Sequence, residues 1–159
     1  MSLRKRSGEP DRRSGRDTAL RLLARREHSA AELAHKLVRR GHGEDEAGAI
    51  VGDMASAGWQ SDDRYAEMLV RNRAAQGYGP LRVRAELEAA RVDEAAIRAA
   101  LEAAEIDWTE RACAVHARKF RAPPASAAEW QKQYRFLAMR GFEPEQIRSA
   151  LGRSEPDTP

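Results

Sequence analysis

Arginine and tyrosine side chains near the middle of the chain have the residue types of a contact surface. An arginine side chain forks to a carboxylate or a phosphate, and a tyrosine supplies a ring that loses little conformational entropy on binding. We predict contacts from one set in the middle of the chain and from a second, weaker set near its end. The first set is Arg64, Arg71, Arg73, Tyr78, Arg82 and Arg84, and the second is Lys132, Arg135 and Arg140.

These residues also have a structural interpretation. Arg64 would then bridge to a neighbouring carboxylate, Asp62 or Glu67, and Tyr65 and Tyr78 would pack where helices meet. We expect Tyr65 in the core. Contact and structural roles both stay open for the two arginines that follow Tyr78.

Residue types used in catalysis are present but poorly arranged. His28, His35 and His42 recur every seven residues and could form a metal-binding face, but His42 falls on an apolar seam and no cysteine lies nearby. Cys113 lies among small apolar residues and is predicted to pack as a small hydrophobe. The carboxylate pair at 62–63 has no histidine near it in sequence. Because a phosphate-binding Gly-Lys-Ser/Thr loop is also missing, we predict no enzyme activity, no metal and no cofactor.

Helix start and stop signals surround the central set. Gly58 is placed to end one helix, and Ser61 or Asp62 to begin the next by accepting its free N–H groups. The Gly-Tyr-Gly-Pro segment at 77–80 breaks that helix and starts another. No stretch shows the strict alternation of a strand, so the chain is predicted to be all-α. Capping-box patterns begin further helices at Ser29, Asp107 and Ser126.

An internal repeat of 50 residues organises the helices. The repeated core positions are Leu37, Leu87 and Leu137; Ala47, Ile97 and Ile147; and Val51, Leu101 and Leu151, with His42, Val92 and Phe142 on the same seam. Each repeat is predicted to be a three-helix module of about 45 residues, which is too small for a secure core of its own. We divide the chain into a basic tail at 1–16, modules at 17–58, 59–106 and 107–152, and a second tail at 153–159.

We expect these helix-turn-helix-like modules to support one another in an elongated, curved, solenoid-like body. Trp59 and Trp108 lie at or just before the first helix of modules two and three. Two placements are open for them: the junctions between modules, or the core of one module.

Charge is unevenly distributed among the helices. The first and second helices of the modules hold nineteen bases and nine acids, whereas the third helices hold two bases and eleven acids. One interpretation is a body with a basic and an acidic side, suited to a groove lined by copies of one partner. The other is that the charges only keep the helices solvated. An acidic third helix argues against a sequence-specific DNA reader, because DNA phosphates would repel it.

The tail at 1–16 has a net charge of +4, while the whole chain has +3. We expect it to be disordered in isolation and to act either as a phosphate-attracting arm or as a solubilising leader. The single Cys113 excludes an internal disulfide, and neither a signal peptide nor a membrane span is apparent. We predict a cytoplasmic protein that does not bind membranes.

Three segments resemble the RecX regulatory family in their order and spacing. They are Asp62-Asp63-Arg64-Tyr65-Ala66; Gly77-Tyr78-Gly79-Pro80-Leu81-Arg82-Val83, leading to Glu86-Leu87; and Arg135-Phe136-Leu137, followed by Arg140-Gly141-Phe142. The resemblance extends from about Ala19 to Leu151. The chain departs from the pattern in its arginine-rich leader and at Arg91-Val92, where the other copies have a glycine and a ring residue.

The resemblance implies a regulator of the RecA recombinase rather than an enzyme. Such a protein would dock in the groove of RecA filaments on single-stranded DNA and limit filament extension, ATPase, strand exchange and co-protease activity in recombinational repair and the SOS response. We expect a monomer that binds single- or double-stranded DNA only weakly. The competing hypothesis is a stand-alone nucleic-acid-binding protein that acts through its basic tail and basic helix faces.

Overall fold

The computed structural model describes residues 12–152, and every regular element in that range is a helix. The helices are α1 (Arg12–Arg25), α2 (Ala30–Arg39), α3 (Glu44–Ser56), α4 (Asp62–Ala75), α5 (Pro80–Ala89), α6 (Glu94–Ala103), α7 (Trp108–Lys119), α8 (Ala127–Met139) and α9 (Pro144–Leu151). They follow one another in three groups of three, so the prediction of an all-α chain of three-helix repeats is confirmed. Among these described helices, none combines the length and apolarity needed to cross a lipid bilayer.

Side-chain caps begin helices at the predicted positions. The side chain of Ser29 accepts a hydrogen bond from the backbone N–H of Glu32 at 3.0 Å. Asp107 and Ser126 cap α7 and α8 in the same way, at 3.0 and 3.2 Å. The carboxylate of Glu32 does not return the bond to the cap, because it pairs with Arg26 instead.

One turn closes the second helix of every group. Its left-handed residues are Gly41 (φ 97°), Arg91 (φ 59°) and Gly141 (φ 91°). The next residue donates its backbone N–H to the carbonyl of the repeat leucine: His42 to Leu37 at 3.2 Å, Val92 to Leu87 at 3.1 Å and Phe142 to Leu137 at 3.2 Å. The unusual Arg91-Val92 pair therefore changes the residue types but keeps the turn.

The repeat positions lie in the apolar core. Of the eight residues predicted as repeat core at Leu37, Val51, Leu87, Ile97, Leu101, Leu137, Ile147 and Leu151, seven are buried. Leu101 is half-buried, because Ala96, Ile97 and Ala100 form the buried face of α6 and Leu101 lies at its edge.

The chain forms two compact units that divide within α4, after Tyr65. In the first unit, α1 to α3 enclose Leu33, Leu37, Ile50 and Met54. In the second unit, α7 to α9 enclose Trp130, Leu137, Phe142 and Ile147. The boundaries proposed for the three modules stay predictions.

Helix α1 begins at Arg12, ahead of the predicted start at Asp17. Gly15 is buried, and a β-carbon there would lie 2.6 Å from the side chain of Ile50 and 2.9 Å from that of His42. The last residues of the predicted tail therefore belong to the fold of the first unit. Residues 1–11 and 153–159, with the predictions made for them, lie outside the described residues.

The prediction for Trp59 is wrong, since its side chain is 59% exposed rather than at a junction or in a core. The turn after α3 places the next residue inside instead. Gln60 is buried, and its Nε2 donates to the carbonyl of His28 at 3.2 Å. Trp108, by contrast, packs against the core of α7 to α9.

Cys113 is exposed, so the prediction that it packs as a small hydrophobe is also wrong. The buried face of α7 is formed by Ala112 and His116, one residue before Cys113 and three after it. Small neighbours in sequence did not identify the inward face.

Candidate protein-binding site

Two loops of the second unit meet through their backbones. We call residues 77–80, between α4 and α5, the elbow, and residues 140–142, between α8 and α9, the return turn. The N–H of Gly79 donates to the carbonyl of Arg140 at 2.8 Å, and the N–H of Leu81 donates to that of Gly141 at 2.9 Å. A β-carbon on Gly79 would overlap the Gly141 carbonyl, and one on Gly141 would lie 2.6 Å from the Arg82 nitrogen. This approach requires glycine at both positions.

The contact brings together three of the predicted site residues. The Cζ of Arg82 lies 3.9 Å from the centre of the Tyr78 ring, and the Cζ of Arg140 lies 4.9 Å from it. Both distances are within the range of cation–π attraction. We call Tyr78, Arg82 and Arg140 the stack.

Two other predicted contact arginines are already paired with carboxylates. Arg73 Nε donates to both oxygens of Glu86, at 2.9 and 3.1 Å. Arg84 Nη1 lies 2.8 Å from each oxygen of Glu94. Arg82 lies 3.8 Å from Glu86, and 44% of its side chain is exposed. Of these three arginines, Arg82 has the charge most accessible to a partner.

Arg64 has a structural role in the first unit, although the partner is not the predicted Asp62 or Glu67. Its Nε donates to Glu27 at 2.9 Å, and its Nη2 donates to the carbonyls of Gly58 at 2.9 Å and Trp59 at 3.2 Å. The side chain therefore ties the turn after α3 to the loop before α2. Tyr65 is buried, as expected.

Arg71, Lys132 and Arg135 are exposed. Within residues 12–152, no carboxylate lies within ion-pair distance of any of them, and no ring contact joins them to the stack. They remain candidate contacts by exposure and charge alone.

A cavity of about 340 Å³ extends from Arg140, and we call it the basic pocket. Its cations are Arg111, Arg118 and Lys119 of α7 together with Arg140. Arg111 is held in place by its Nη2, which donates to the carbonyl of Ala74 at 2.6 Å. Lys119 Nζ lies 5.5 Å from the centre of the Phe136 ring, and the Cζ of Arg140 lies 5.4 Å from it.

The three α7 cations were missed in the sequence, although a signal was present. Positions 111, 115, 118 and 119 have the spacing of one helical face, on which Val115 accompanies three bases. The charge was summed over all first and second helices of the modules, so the basic face of α7 was not distinguished from the faces of the other helices. A search for bases at helical spacing would have singled out α7.

The three histidines at seven-residue spacing, for which a metal-binding face was considered and not predicted, have other surroundings in the structure. No group of three or more histidine, cysteine, aspartate or glutamate side chains in the described part of the chain is arranged to hold a metal ion. His28 is buried and hydrogen-bonded: its Nδ1 lies 3.0 Å from the carbonyl of Arg26, and its Nε2 lies 2.9 Å from Lys36 Nζ. His35 is exposed.

The surroundings of His28 lower the pKa of two groups. Burial lowers the pKa of His28, and the charges of Arg26 and Lys36 act in the same direction, against its hydrogen bond to the Arg26 backbone. Burial acts to raise the pKa of Glu32, but the hydrogen bond and charge of Arg26 outweigh it and leave that pKa below its ordinary value. A neutral His28 donates through Nδ1 and accepts from Lys36 through Nε2.

Three family models match the chain in order. They describe RecX, first three-helix domain, at residues 16–53; RecX, second three-helix domain, at 61–101; and RecX, third three-helix domain, at 105–151. The chain belongs to the RecX family. The matched ranges follow the three groups of helices, so the elbow belongs to the second RecX domain and the return turn to the third.

Curated RecX proteins are similar over most of their length. The chain is 43% identical over 143 residues to regulatory protein RecX of Chromohalobacter salexigens, covering 90% of this chain and 94% of the relative. It is 49% identical over 133 residues to regulatory protein RecX of Xanthomonas axonopodis pv. citri, covering 83% and 82%. The family is one of regulatory proteins.

Solved RecX structures share the fold. A crystal structure of regulatory protein RecX superposes with a TM-score of 0.76 at 20% identity, covering 90% of this chain and 73% of the other. RecX from Lactobacillus salivarius gives a TM-score of 0.74 at 20% identity, covering 89% and 94%.

Proposed function

We propose that this RecX protein regulates the RecA recombinase by binding RecA filaments on single-stranded DNA in the cytoplasm. It limits filament extension and lowers the ATPase, strand-exchange and co-protease activities of RecA, in recombinational repair and the SOS response. It acts as a monomer, without a cofactor and without catalysing a reaction. The observation that carries the proposal is the match of all three RecX domains along one chain.

The proposed mechanism is a clamp. A chain that contacts neighbouring RecA protomers holds them in a geometry that resists extension or ATP turnover, since binding shifts the filament towards the state that it fits best. The stack supports this mechanism, because Tyr78 and Arg82 of one domain and Arg140 of the next form one surface. Aromatic and arginine side chains of this kind dominate the energetics of many interfaces.

The test combines two measurements on preformed RecA filaments. The chain is expected to sediment with the filaments and to lower their rate of ATP hydrolysis. A wild-type chain that neither sediments with the filaments nor changes the rate would contradict the proposed function.

Arg82→Glu tests the stack, and we expect it to weaken inhibition about tenfold by losing one charged hot-spot contact. Arg98→Glu is the matched control, because Arg98 is exposed on α6 and the substitution makes the same change of charge outside the stack. If folded Arg82→Glu inhibits like the wild type, the stack is not a contact. Arg84→Glu is less informative, because it breaks a close pair with Glu94 at 2.8 Å, whereas Arg82 lies 3.8 Å from Glu86, which keeps its closer pair with Arg73.

The second candidate function is nucleic-acid binding without RecA. It is favoured by the bases of α7, because no carboxylate within residues 12–152 forms an ion pair with them. It requires that affinity for naked single-stranded DNA account for every effect on RecA, with a steep salt dependence. Deleting the basic tail tests its contribution. The deletion should end at residue 11, because α1 begins at Arg12 and Gly15 is buried.

A further inference from the structure

The basic pocket has positive charge that no carboxylate of the described chain compensates. Its lining contains four cations and no acid. Within residues 12–152, none of the four has a carboxylate within ion-pair distance, whereas Arg73 and Arg84 of α4 and α5 are paired. Arg111 Nε is buried without a hydrogen-bond partner in this part of the chain. An anion that enters the pocket therefore meets charge that is still available to it.

The surface between these cations is mainly apolar and includes the ring of Phe136. Ala75 of α4 and Ala114 and Val115 of α7 line the pocket, and Val115 is half-buried against the core of α7 to α9. An aliphatic side chain placed there would lose contact with water, at a gain of roughly 25 cal/mol per Å² of apolar area. The pocket thus combines two recognition chemistries, one for carboxylates or phosphates and one for a small apolar group.

The aromatic rings near the pocket already have cationic neighbours. Lys119 and Arg140 lie over Phe136, while Arg82 and Arg140 lie over Tyr78. Proteins that bind single-stranded nucleic acid use ring faces on which bases stack. Because cations lie over these two rings, the pocket favours an aliphatic side chain over a nucleobase.

We infer that the basic pocket binds a short acidic segment of a protein partner, in which carboxylate side chains flank an aliphatic one. The carboxylates pair with the guanidinium groups of Arg118 and Arg140 and with Lys119, since a guanidinium binds a carboxylate through two parallel hydrogen bonds. The aliphatic side chain lies on Ala114 and Val115. Arg111, held by the carbonyl of Ala74, contributes charge from the wall. The inference rests on the proposed function, because the acidic segment is taken to belong to the protein that this chain regulates.

The first test uses three synthetic peptides and isotope-labelled full-length chain, followed by NMR. The acidic peptide is acetyl-Asp-Glu-Ile-Glu-Asp-amide; one control replaces its acids with the corresponding amides, and the other replaces Ile with Ser. We expect saturable shifts of the Gly77 and Val115 amides with the acidic peptide, about tenfold weaker binding of the amide control, and about fivefold weaker binding of the Ser control. Equal binding of the acidic and amide peptides would overturn the inference.

The second test changes the pocket. Arg118→Gln with Lys119→Gln should weaken binding of the acidic peptide about tenfold by removing two exposed charges. Ala114→Phe should block the pocket sterically, and the exposed position of Ala114 allows the larger ring. Arg91→Gln with Arg98→Gln is the matched control, since it removes the same charge from exposed positions outside the pocket and outside the predicted contact residues. If both pocket variants bind the peptide like the wild type, the pocket is not its site.

A nucleic-acid surface predicts a different pattern. Oligothymidylate of equal charge would then displace the bound peptide at a lower concentration than unlabelled peptide does. Ala114→Phe would also leave binding of the oligonucleotide unchanged. These two results together would overturn the inference. Neither the peptide assay nor the oligonucleotide assay contains RecA. A chain that binds the peptide but does not affect RecA filaments contradicts only the proposed function, whereas a chain that inhibits RecA but ignores the peptide contradicts only the pocket.

Discussion

Gly79 and Gly141 approach each other backbone to backbone: the N–H of Gly79 donates to the carbonyl of Arg140 at 2.8 Å, and the carbonyl of Gly141 accepts from the N–H of Leu81 at 2.9 Å. The two residues come from the second and third RecX domains. The stack and the basic pocket both include Arg140, so both depend on this contact. The candidate site is therefore a product of two repeats and could not be built from either one alone.

Gly79→Ala should destabilise the second unit by about 2–3 kcal/mol, because the added methyl group separates the two loops and weakens both hydrogen bonds. Urea unfolding followed by circular dichroism measures the change. Gly52→Ala in α3 is the control: nothing lies within 4 Å of the position that a β-carbon would take there, and helix propensity predicts a gain of about 0.5–1 kcal/mol. Similar effects of the two substitutions would contradict the close approach.

Tyr78 should be energetically coupled to Arg82. A double-mutant cycle with Tyr78→Leu and Arg82→Met is expected to give a coupling energy of about 0.5–1 kcal/mol, the usual size for a partly exposed cation–π pair. Tyr78→Phe keeps the ring and should change stability little. A coupling energy of zero in urea unfolding would mean that the two side chains are near each other without attracting.

Arg91→Gly should stabilise the chain by about 0.5–1 kcal/mol. Arg91 has a φ of 59°, a region that a residue with a β-carbon occupies only with strain. Ala90→Gly is the neighbouring control, because Ala90 has a φ of −81° and gains nothing from glycine. Thermal unfolding of the two variants should move in opposite directions, and a loss of stability in Arg91→Gly would refute the strain.

Stability should fall as pH decreases below neutrality, in part through His28. The pKa of His28 is lowered from an ordinary 6.5 in the folded chain, so the unfolded chain binds the proton first. Its contribution is fully present above pH 6.5 and is lost as pH falls through the folded pKa. Glu32 acts in the same direction, but only below its ordinary value of 4.5.

Urea midpoints measured between pH 7.5 and about 5 test this dependence. His28→Gln should flatten the pH profile, because glutamine takes up no proton, whereas His35→Gln at an exposed position should leave it unchanged. If the profile of His28→Gln keeps the slope of the wild type, another group is responsible.

Much of the fold was predictable because its signals are local or periodic. Ser29, Asp107 and Ser126 cap the helices that follow them, through bonds to backbone groups three residues away. The 50-residue offset located the buried leucines Leu37, Leu87 and Leu137. Trp59 and Cys113 were misjudged, because composition near a position does not tell which way its helix face is turned.

The candidate site was only partly predictable. Tyr78, Arg82 and Arg140 were named from residue type, but the stack depends on Arg140, which lies far along the chain from the other two. The same is true of Arg64, whose carboxylate partner is Glu27 rather than a neighbour in sequence.

The amino-acid sequence by itself determined the helical class, the threefold repeat and the family, because helix periodicity, capping and repeat spacing are written in the order of residues. Only the tertiary structure decided which arginines are paired and which are available to a partner. Ion pairs and cation–π contacts act over a few ångströms, so their partners follow from how the helices pack and not from distance along the chain.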